Sequence, residues 1–313
     1  MPSRRLVRVA SLLLVGGAAV GGCTQTEAAA PGQVAPANAT IDWKTVGFAA
    51  AGCSSRADWV AAGWSAADWD ALTVSTMQAD VTGDGVGDVL VTLACPSAVS
   101  EPPRSVVVFD ISAGEPTLLG VLGAGLDLQD ATVTVDGPAV TLSGPAVAGD
   151  DPACCADHWA SQTYTWGGGG FTAGGRLSLL GATPPTPGTL TDGQHVGLVR
   201  AVTDDTVYVD LVEWFEGSAA ARACAQDGVA DNGWEQCHSY YVRDPDDRVS
   251  ELPVRAGARA SYIDENNARS VPVASAAALA GTPAVSDESG DSHYVRLTVS
   301  GGQVTALAEI FVP

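Results

Sequence analysis

Short runs of β-branched and aromatic residues, broken by turns rich in glycine and proline, set the strongest limit on what this 313-residue chain can fold into. Such runs predict strands, because branched and aromatic side chains pack well on a pleated, half-buried surface. In the first half of the chain, strands are predicted at residues 89–93, 105–111, 118–122, 131–135, 139–142 and 163–166. In the second half, strands are predicted at residues 195–203, 206–214, 239–243, 258–263, 293–300 and 303–312. The predicted fold class is therefore mainly β with short helices (α+β).

Paired runs around short turns predict antiparallel hairpins. Asp136-Gly137 separates two alternating runs, and this dipeptide favours a tight hairpin turn. Gly301-Gly302 joins residues 293–300 to residues 303–312 in the same way. Along residues 293–300 apolar and polar side chains alternate, which is typical of a strand with one buried face. The chain is therefore predicted to close with an antiparallel hairpin.

Two short helices are predicted from their N-terminal caps. The Ser54-Ser55 pair can cap a helix that carries Trp59 and Trp64. Ser218 can cap an alanine-rich helix at residues 219–226. The first of these helices precedes the strands of the N-terminal region, and the second is inserted between strands of the C-terminal region.

Proline-rich residues 181–189 predict a stiff linker that lies outside any strand. On this basis the chain divides into an antiparallel β domain at residues 41–180 and a second domain at residues 190–313. Five or more short strands with one inserted helix predict a small β-barrel in the second domain, with an OB-like barrel as one form, or a strongly curved sheet.

The first 22 residues have the composition of an export signal. Arg4, Arg5 and Arg8 precede the apolar residues 9–20, which are too few to cross a bilayer that needs about 20 residues. Residues 24–40 are rich in Ala, Pro, Gln and Thr and predict a flexible tether. Ordinary and twin-arginine export both remain open from this signal.

The end of the signal, Val20-Gly21-Gly22-Cys23, resembles the lipobox of bacterial lipoproteins. The resemblance implies that the signal peptide spans residues 1–22 and that Cys23 is acylated. Residues 23–40 would then hold the folded part of the chain at the extracytoplasmic face of the cell membrane. The membrane, through this lipid anchor, is the first predicted partner.

The balance of charge argues against nucleic acid as a partner. The chain has 15 Lys and Arg residues and 36 Asp and Glu residues, a formal net charge of −21. Three of the basic residues and none of the acidic ones lie in residues 1–22, so the chain after residue 22 carries −24. Such a chain repels polyanions, because their binding depends on Lys and Arg contacts to phosphates. We therefore expect no nucleic-acid partner.

With Cys23 assigned to lipid, six cysteines remain, and an even number in an exported chain predicts three disulfides. Cys224 and Cys237 are close in sequence and are predicted to pair. Because a bond between neighbouring cysteines strains the backbone, we expect each of the adjacent residues Cys154-Cys155 to bridge to Cys53 or Cys95. The pairing within this second group is left open by the sequence.

An acidic loop, residues 80–88, carries the most specific chemical pattern in the chain. Its sequence Asp-Val-Thr-Gly-Asp-Gly-Val-Gly-Asp resembles the calcium loops of dockerins and of integrin-type β-propeller repeats. By that resemblance the calcium ligands are Asp80, Thr82, Asp84, the carbonyl of Val86, and Asp88. A threonine at the third position and the missing glutamate at the twelfth imply a weak, structural site, with a Kd on the order of 10⁻⁴ to 10⁻³ M. The alternative is a tight Gly-Asp-Gly turn that needs no metal.

Two wider regions resemble secreted actinobacterial proteins whose activity is unknown. The first is the acidic loop with the valine-rich strand and Cys95 that follow it. The second comprises Asp192-Gly193-Gln194-His195, Trp214-Phe215-Glu216-Gly217 and Tyr240-Tyr241-Val242-Arg243. This resemblance implies export and supplies no activity.

Enzyme motifs are missing from the sequence. It contains no Gly-x-Ser-x-Gly elbow, no phosphate-binding Gly-x-x-x-x-Gly-Lys and no His-Glu-x-x-His. No catalytic residue is predicted, although His195 would have a general acid–base partner if it faced Glu213 or Glu216.

Four aromatic residues could line a carbohydrate or peptide groove, or could belong to the core: Trp214, Phe215, Tyr240 and Tyr241. We expect a non-enzymatic envelope binding or interaction module whose ligand or protein partner the sequence does not identify. The alternatives are an envelope glycan or peptide hydrolase and a structural envelope spacer.

Overall fold

The computed structural model describes residues 41–97, 102–147, 155–181, 183–229, 237–246, 248–283 and 293–311. The predicted signal peptide, Cys23, the predicted tether and Cys154 lie outside these ranges. Within them the chain is mainly β with antiparallel sheets, which confirms the predicted class. None of the helices in these ranges is long and apolar enough to cross a membrane.

The helices of the described residues are short. They are α1 Trp43–Ala50, α2 Arg56–Ala61, α3 Ala66–Ala71 and α4 Ser218–Gln226, with a 3-10 helix at Ala277–Gly281. The strands before the proline-rich segment are β1 Ser75–Ala79, β2 Asp88–Ala94, β3 Arg104–Asp110, β4 Thr117–Leu122, β5 Thr132–Asp136, β6 Ala139–Ala146, β7 His158–Trp166 and β8 Phe171–Leu180. The later strands are β9 Thr186–Pro187, β10 Gly193–Val202, β11 Thr206–Glu216, β12 Tyr240–Arg243, β13 Val249–Asp264, β14 Arg269–Val273, β15 His293–Ser300 and β16 Gln303–Glu309.

The N-terminal helix is shorter than predicted and has helical neighbours on both sides. Ser55 caps α2 through a reciprocal pair of hydrogen bonds with Asp58, so the cap predicted from the sequence is present. Trp59 lies within α2, but Trp64 lies beyond its end and stacks on Trp59 with 5.2 Å between ring centroids. Helices α1 and α3 were not predicted from the sequence.

Strands β1 to β4 form an antiparallel sheet that is covered on both faces. Side chains of β2 alternate between the two faces, so Val91 and Leu93 contact the helices while Leu90 contacts the next sheet. Burial on both faces explains why residues 89–93 form an almost unbroken apolar run. Each fully buried Val or Leu contributes roughly 1.5–3 kcal/mol relative to exposure.

The second sheet, β5 to β8, is also antiparallel and packs on the first. Its inward residues Val140 and Leu142 share one apolar core with Leu90 and Val108 of the first sheet. The predicted hairpin at Asp136-Gly137 joins β5 to β6, with Gly137 in the left-handed region at a φ of 52°. This half of the protein therefore has three layers, with helices on one sheet and that sheet on another.

Five later strands pair into a closed sheet. Strand β10 pairs with β11 and β15, β15 pairs with β16, and β13 pairs with both β16 and β11. All of these pairs are antiparallel except β13 with β16. The enclosed core includes Val207, Leu297 and Leu307, and Leu279 of the 3-10 helix packs into it. Strands β12 and β14 add to the closed sheet by pairing with β11 and β13.

Closure of the sheet depends on the length and bend of β13. It pairs with β11 up to Pro253, and it pairs with β16 at Val254 and again from Arg259 onward. Between Val254 and Arg259 the register shifts, and Gly257 has a φ of 75°, a conformation that glycine adopts without steric cost. The sequence analysis predicted only residues 258–263 of this strand, because Pro253 and Gly257 interrupt the strand pattern.

The prediction that residues 181–189 lie outside any strand is wrong. Thr186 and Pro187 form β9, which pairs in parallel with Ser250 and Glu251 of β13. A proline is tolerated there because the short strand lies at an edge, where its missing N–H is not needed for a ladder bond. The amide of Gly188 then donates to the carbonyl of Glu251 at 2.9 Å.

The disulfides differ in part from expectation. Cys224 is bonded to Cys237, the pair predicted from their short separation. Cys53 is bonded to Cys95, so the expectation that each bridges to Cys154 or Cys155 is wrong. The physical reason is the packing of α1 on β2, which brings the Cα atoms of Cys53 and Cys95 to 5.2 Å. Cys155 is exposed.

Replacing Gly197 with alanine is expected to destabilise the protein by roughly 1–3 kcal/mol, the usual cost of overpacking a filled core. A Cβ atom on this β10 residue would overlap Val209 Cγ2 and lie 2.6 Å from the backbone oxygen of Asp210. Gly175 in β8 is the matched control, since no atom lies within 4 Å of a Cβ built there. Urea unfolding followed by circular dichroism compares the two variants, and equal midpoints would contradict the close approach of β10 to β11.

Candidate functional site

The acidic loop connects β1 to β2 and is closed by the pair of Ala79 with Asp88. Gly83 and Gly85 have φ angles of 77° and 85°, which lie in the left-handed region that favours glycine. The glycines therefore stand where the chain turns sharply, as the sequence pattern predicted. The loop is a compact turn at one end of the sheet formed by β1 to β4.

Backbone amides bind all three carboxylates of the loop. Asp80 accepts hydrogen bonds from the amides of Gly83 at 2.7 Å and Gly85 at 3.0 Å. Asp84 accepts one from the amide of Val86 at 2.8 Å. These bonds place partial positive charge beside each carboxylate and reduce their mutual repulsion. The turn is therefore stabilised by its own backbone.

Asp88 is the buried carboxylate of the loop. It is 1% exposed and accepts hydrogen bonds from the amides of Val81 at 2.8 Å and Thr82 at 2.9 Å. Burial raises the pKa of the Asp88 carboxyl, and this effect outweighs the lowering by its hydrogen bonds. Because the folded protein then holds the proton more tightly than the unfolded chain, ionised Asp88 costs stability at neutral pH. That cost is relieved as the pH falls toward the usual aspartate pKa.

The predicted calcium ligands are not gathered around one point. Calcium takes 6–8 oxygen ligands, whereas no group of three or more His, Cys, Asp or Glu side chains in the described residues is placed to hold a metal ion. Val86 is 39% exposed, and Asp88 is turned toward the amides at the base of the loop. The arrangement as it stands does not fit a calcium ion, and the calcium site stays a prediction from the sequence.

Calcium binding by the loop predicts a higher melting temperature for the wild-type protein in millimolar calcium than in EDTA. With a Kd near 1 mM, about 10 mM calcium would add roughly 1.4 kcal/mol and raise Tm by a few degrees. Asp84→Ala removes a predicted ligand on the exposed side of the loop, so its Tm should not respond. Differential scanning calorimetry measures both proteins. Equal responses in wild type and Asp84→Ala would contradict calcium binding by the loop.

A second candidate site is a row of three aromatic side chains on the outer side of the closed sheet. Trp214 of β11 stacks on Tyr240 of β12, with 5.3 Å between ring centroids and 12° between ring planes. On the other side, Trp214 lies 5.9 Å from Tyr294 of β15 at 52°. We call Tyr240, Trp214 and Tyr294 the aromatic row. All three side chains are half-buried.

Two charged side chains border the aromatic row. The indole N–H of Trp214 donates to Glu216 Oε1 at 2.9 Å, which fixes the orientation of the indole ring. Arg296 Nη2 lies 3.8 Å from the same oxygen. The side chain of Glu216 is 65% exposed and that of Arg296 is 38% exposed. The row therefore combines flat apolar rings with an accessible carboxylate and an accessible guanidinium.

The other two aromatic residues considered for a groove belong to a small core. Phe215 and Tyr241 pack under α4 together with the Cys224–Cys237 disulfide. This division follows from strand geometry, because neighbouring residues of a strand point to opposite faces. The sequence analysis left the groove and the core open for these residues. The structure assigns Phe215 and Tyr241 to the core and Trp214 and Tyr240 to the surface.

Arg243 links this small core to β11. Its guanidinium donates to Asp227 at 2.7 Å and to Glu213 at 2.8 Å and lies 5.1 Å from the centroid of the Phe215 ring. The hydrogen bond with Asp227 and then that with Glu213 raise the pKa of Arg243. Glu213 is therefore engaged in a structural ion pair.

His195 forms no pair with Glu213 or Glu216, the two glutamates that could have served as its acid–base partner. Its Nε2 lies 2.9 Å from the carbonyl oxygen of Thr191. The two glutamates are held by Arg243 and by the Trp214 indole. His195 therefore contacts the backbone of Thr191 instead of a carboxylate that could act as its acid–base partner.

A buried histidine–glutamate pair was missed by sequence reasoning. His293 Nδ1 of β15 lies 3.0 Å from Glu309 Oε1 of β16, and the side chains are only 6% and 0% exposed. Glu309 Oε2 also accepts a hydrogen bond from the amide of Ile263 at 2.6 Å. The one sign of this pair in the sequence was Glu309, which falls at an inward-facing position of the predicted last strand. Both side chains are therefore enclosed, away from any ligand in solvent.

No protein-family profile, curated protein or solved structure matches this chain. The lipobox resemblance and the calcium-loop resemblance therefore stay predictions from the sequence. The aromatic row and its charged border are the surface feature from which a function is inferred below.

Proposed function

We propose that this protein is an exported lipoprotein, anchored by acylated Cys23 to the extracytoplasmic face of the cell membrane. The proposal is supported by the arginine-containing start, the short apolar run and the lipobox-like Val20-Gly21-Gly22-Cys23. Two disulfides among the described residues agree with an oxidising compartment. Residues 23–40 serve as the tether that carries the folded part.

We further propose that the closed sheet is an OB-like barrel. Support comes from its five strands and from the parallel pairing of the third of them, β13, with the fifth, β16. A 3-10 helix lies between β13 and β15, the third and fourth strands, and it buries Leu279 in the core. OB barrels are small Greek-key barrels that bind oligonucleotides or oligosaccharides on an outer strand face.

The anchored protein acts, in this proposal, as a non-enzymatic binding module whose ligand contacts the aromatic row. The observation that carries it is the row itself, Tyr240, Trp214 and Tyr294, bordered by exposed Glu216 and Arg296. Flat rings beside paired polar groups suit ligands that are apolar on one side and hydroxylated on another, such as sugars. The net charge of −21 disfavours nucleic acid, so an oligosaccharide is the favoured OB-type ligand.

The two alternative functions, an envelope hydrolase and a structural spacer, would give different experimental results. An envelope glycan or peptide hydrolase needs a carboxylate or histidine that substrate can reach, whereas the His293–Glu309 pair is enclosed. A structural spacer would need no ligand, so changes in the aromatic row would leave its behaviour unchanged. The binding experiment below separates the module from the spacer, and release of soluble sugar or peptide during the same experiment would favour the hydrolase.

Trp214→Ala is expected to weaken binding to deproteinised cell-wall material at least tenfold, which corresponds to about 1.4 kcal/mol. The change removes the central ring of the aromatic row, which contacts both neighbours. Trp64→Ala is the matched control, because Trp64 is a 47% exposed tryptophan of α2–α3 outside the row. Sedimentation with the wall material measures the bound fraction. Equal binding by the two variants would contradict a ligand at the aromatic row.

Cys23→Ser is expected to move the protein from the membrane fraction to the soluble fraction of the exporting cell. Serine keeps the size of the side chain but removes the thiol to which a lipid is attached. Fractionation followed by immunoblotting measures the distribution, and Ser54→Ala, far from the signal, serves as control. A variant that remains with the membrane would contradict the anchor.

A further inference from the structure

A cleft lies among the N-terminal helices, and none of its lining residues belongs to the acidic loop or the aromatic row. Its volume is about 460 Å³, within the range of roughly 300–1,000 Å³ that small-molecule sites occupy. The cleft is lined by residues of α1, of the α1–α2 connection, of the start of α2 and of α3: Asp42, Thr45, Phe48, Ala49, Cys53, Ser55, Arg56, Ala57 and Trp69. The sequence analysis gave no sign of it, because no single run of residues forms it.

The floor of the cleft is apolar and is held in place by its neighbours. Phe48 and Trp69 are buried and meet edge to face, with 5.6 Å between ring centroids. The ammonium group of Lys44 lies 4.2 Å from the centroid of the Trp69 ring and donates to the Trp69 carbonyl at 2.7 Å. The Cys53–Cys95 disulfide fixes the α1–α2 connection to β2. The cleft is therefore built on a pre-organised base.

Arg56 offers hydrogen-bond donors at the rim of the cleft. Its Nε and Nη2 donate to the two oxygens of Asp70 at 2.8 Å and 2.9 Å, a side-on contact that fixes the plane of the guanidinium. These bonds use two of the five N–H donors of the group. The remaining donors include the end-on fork, which matches the geometry of a carboxylate. The side chain is 52% exposed, so a ligand can reach it.

Asp42 supplies the opposite charge at the same rim. Its carboxylate accepts hydrogen bonds from the amide of Thr45 at 3.3 Å and from the Thr45 hydroxyl at 2.6 Å. These bonds, the hydroxyl first, lower the pKa of the Asp42 carboxyl, so the group is ionised at neutral pH. A carboxylate offers about four acceptor positions, which leaves room for an ammonium group.

The hydroxyls that line the cleft are already engaged. Thr45 donates to Asp42, and the Ser55 hydroxyl donates to Asp58 at 2.7 Å while accepting from its amide. The polar groups that can take up a ligand are therefore the two charged ones at the rim. Ala49 and Ala57 also belong to the lining and add to its apolar part.

We propose that this cleft binds a small zwitterionic ligand with an apolar body, namely a short peptide with free ends. The ligand carboxylate would bind the free fork of Arg56, its ammonium group would bind Asp42, and its apolar side chains would lie over Ala49, Ala57 and Trp69. This site goes beyond the proposed function, since it shares no residue with the aromatic row or the anchor. Its failure would leave both of those intact.

The dipeptide leucyl-leucine is the probe, titrated into the folded protein at pH 7 by calorimetry. We expect saturable binding, and we expect N-acetyl-leucyl-leucine and leucyl-leucinamide each to bind at least tenfold more weakly. Each analogue lacks one of the two charges while keeping the apolar body. Failure of leucyl-leucine to bind at concentrations up to about 10 mM would overturn the proposal. So would equal affinity for all three compounds.

Variants of the rim locate the site. Arg56→Gln is expected to lower the affinity at least tenfold. Asp70→Asn is its matched control, because it breaks the same ion pair but keeps the guanidinium, and its affinity should stay close to that of wild type. Asp42→Asn should also lower the affinity while keeping an oxygen that accepts from Thr45. Unchanged affinity in both Arg56→Gln and Asp42→Asn would refute the assigned charges.

Variants of the wall test whether the cleft itself is the site. Ala49→Phe places a ring in the cleft and should abolish binding, whereas Ala61→Phe on exposed α2, outside the lining, should not. Thermal unfolding checks that both proteins remain folded. If Ala49→Phe is unfolded, the exposed pair Arg56→Gln and Asp70→Asn decides the question. Full binding by a folded Ala49→Phe variant would overturn the proposal.

Discussion

The C-terminal half depends on one constraint, which is that every strand of the closed sheet must find hydrogen-bond partners on both sides. Strand β13 meets this constraint by pairing with β11 up to Pro253 and with β16 at Val254 and, past the bend at Gly257, again from Arg259. Without that change of partner, β11 and β16 would be open edges with unpaired amides. Closure also encloses the core that buries Leu297 and Leu307. The aromatic row keeps its position because its strands belong to this sheet.

Strand alternation then decides which side chains are available for function. The same stretch of β11 sends Trp214 to the outer surface and Phe215 to the small core under α4. The partner strand β12 repeats the division with Tyr240 and Tyr241. The strand alternation that places Phe215 and Tyr241 in the small core therefore also places the rings of Trp214 and Tyr240 on the surface beside Glu216.

In the acidic loop and in the helical cleft, hydrogen bonds from the backbone or from a hydroxyl orient the carboxylates. In the loop, backbone amides bind Asp80, Asp84 and Asp88. In the cleft, Thr45 binds Asp42. The difference lies in exposure. Asp88 is enclosed, so burial raises its pKa, whereas Asp42 is exposed and its hydrogen bonds lower its pKa. Ionised Asp88 therefore costs stability at neutral pH, whereas Asp42 is ionised without that burial cost.

The sequence by itself determined the mainly β class, most strand positions, the cap of α2, the Cys224–Cys237 pair and the turn at Gly83 and Gly85. It also placed α4, but the predicted cap Ser218 is the first residue of that helix, and its N-cap is Gly217 without a side-chain cap. These features depend on residues that are close in sequence, so hydrophobic periodicity and turn residues predict them. Only the tertiary structure decided the Cys53–Cys95 disulfide, the His293–Glu309 pair, the pairing of Pro187 at an edge, and the cleft. Most of these features bring together residues that are distant in sequence, and one of them places a residue against its local preference. Such contacts are set by the packing of sheets and helices rather than by local propensity.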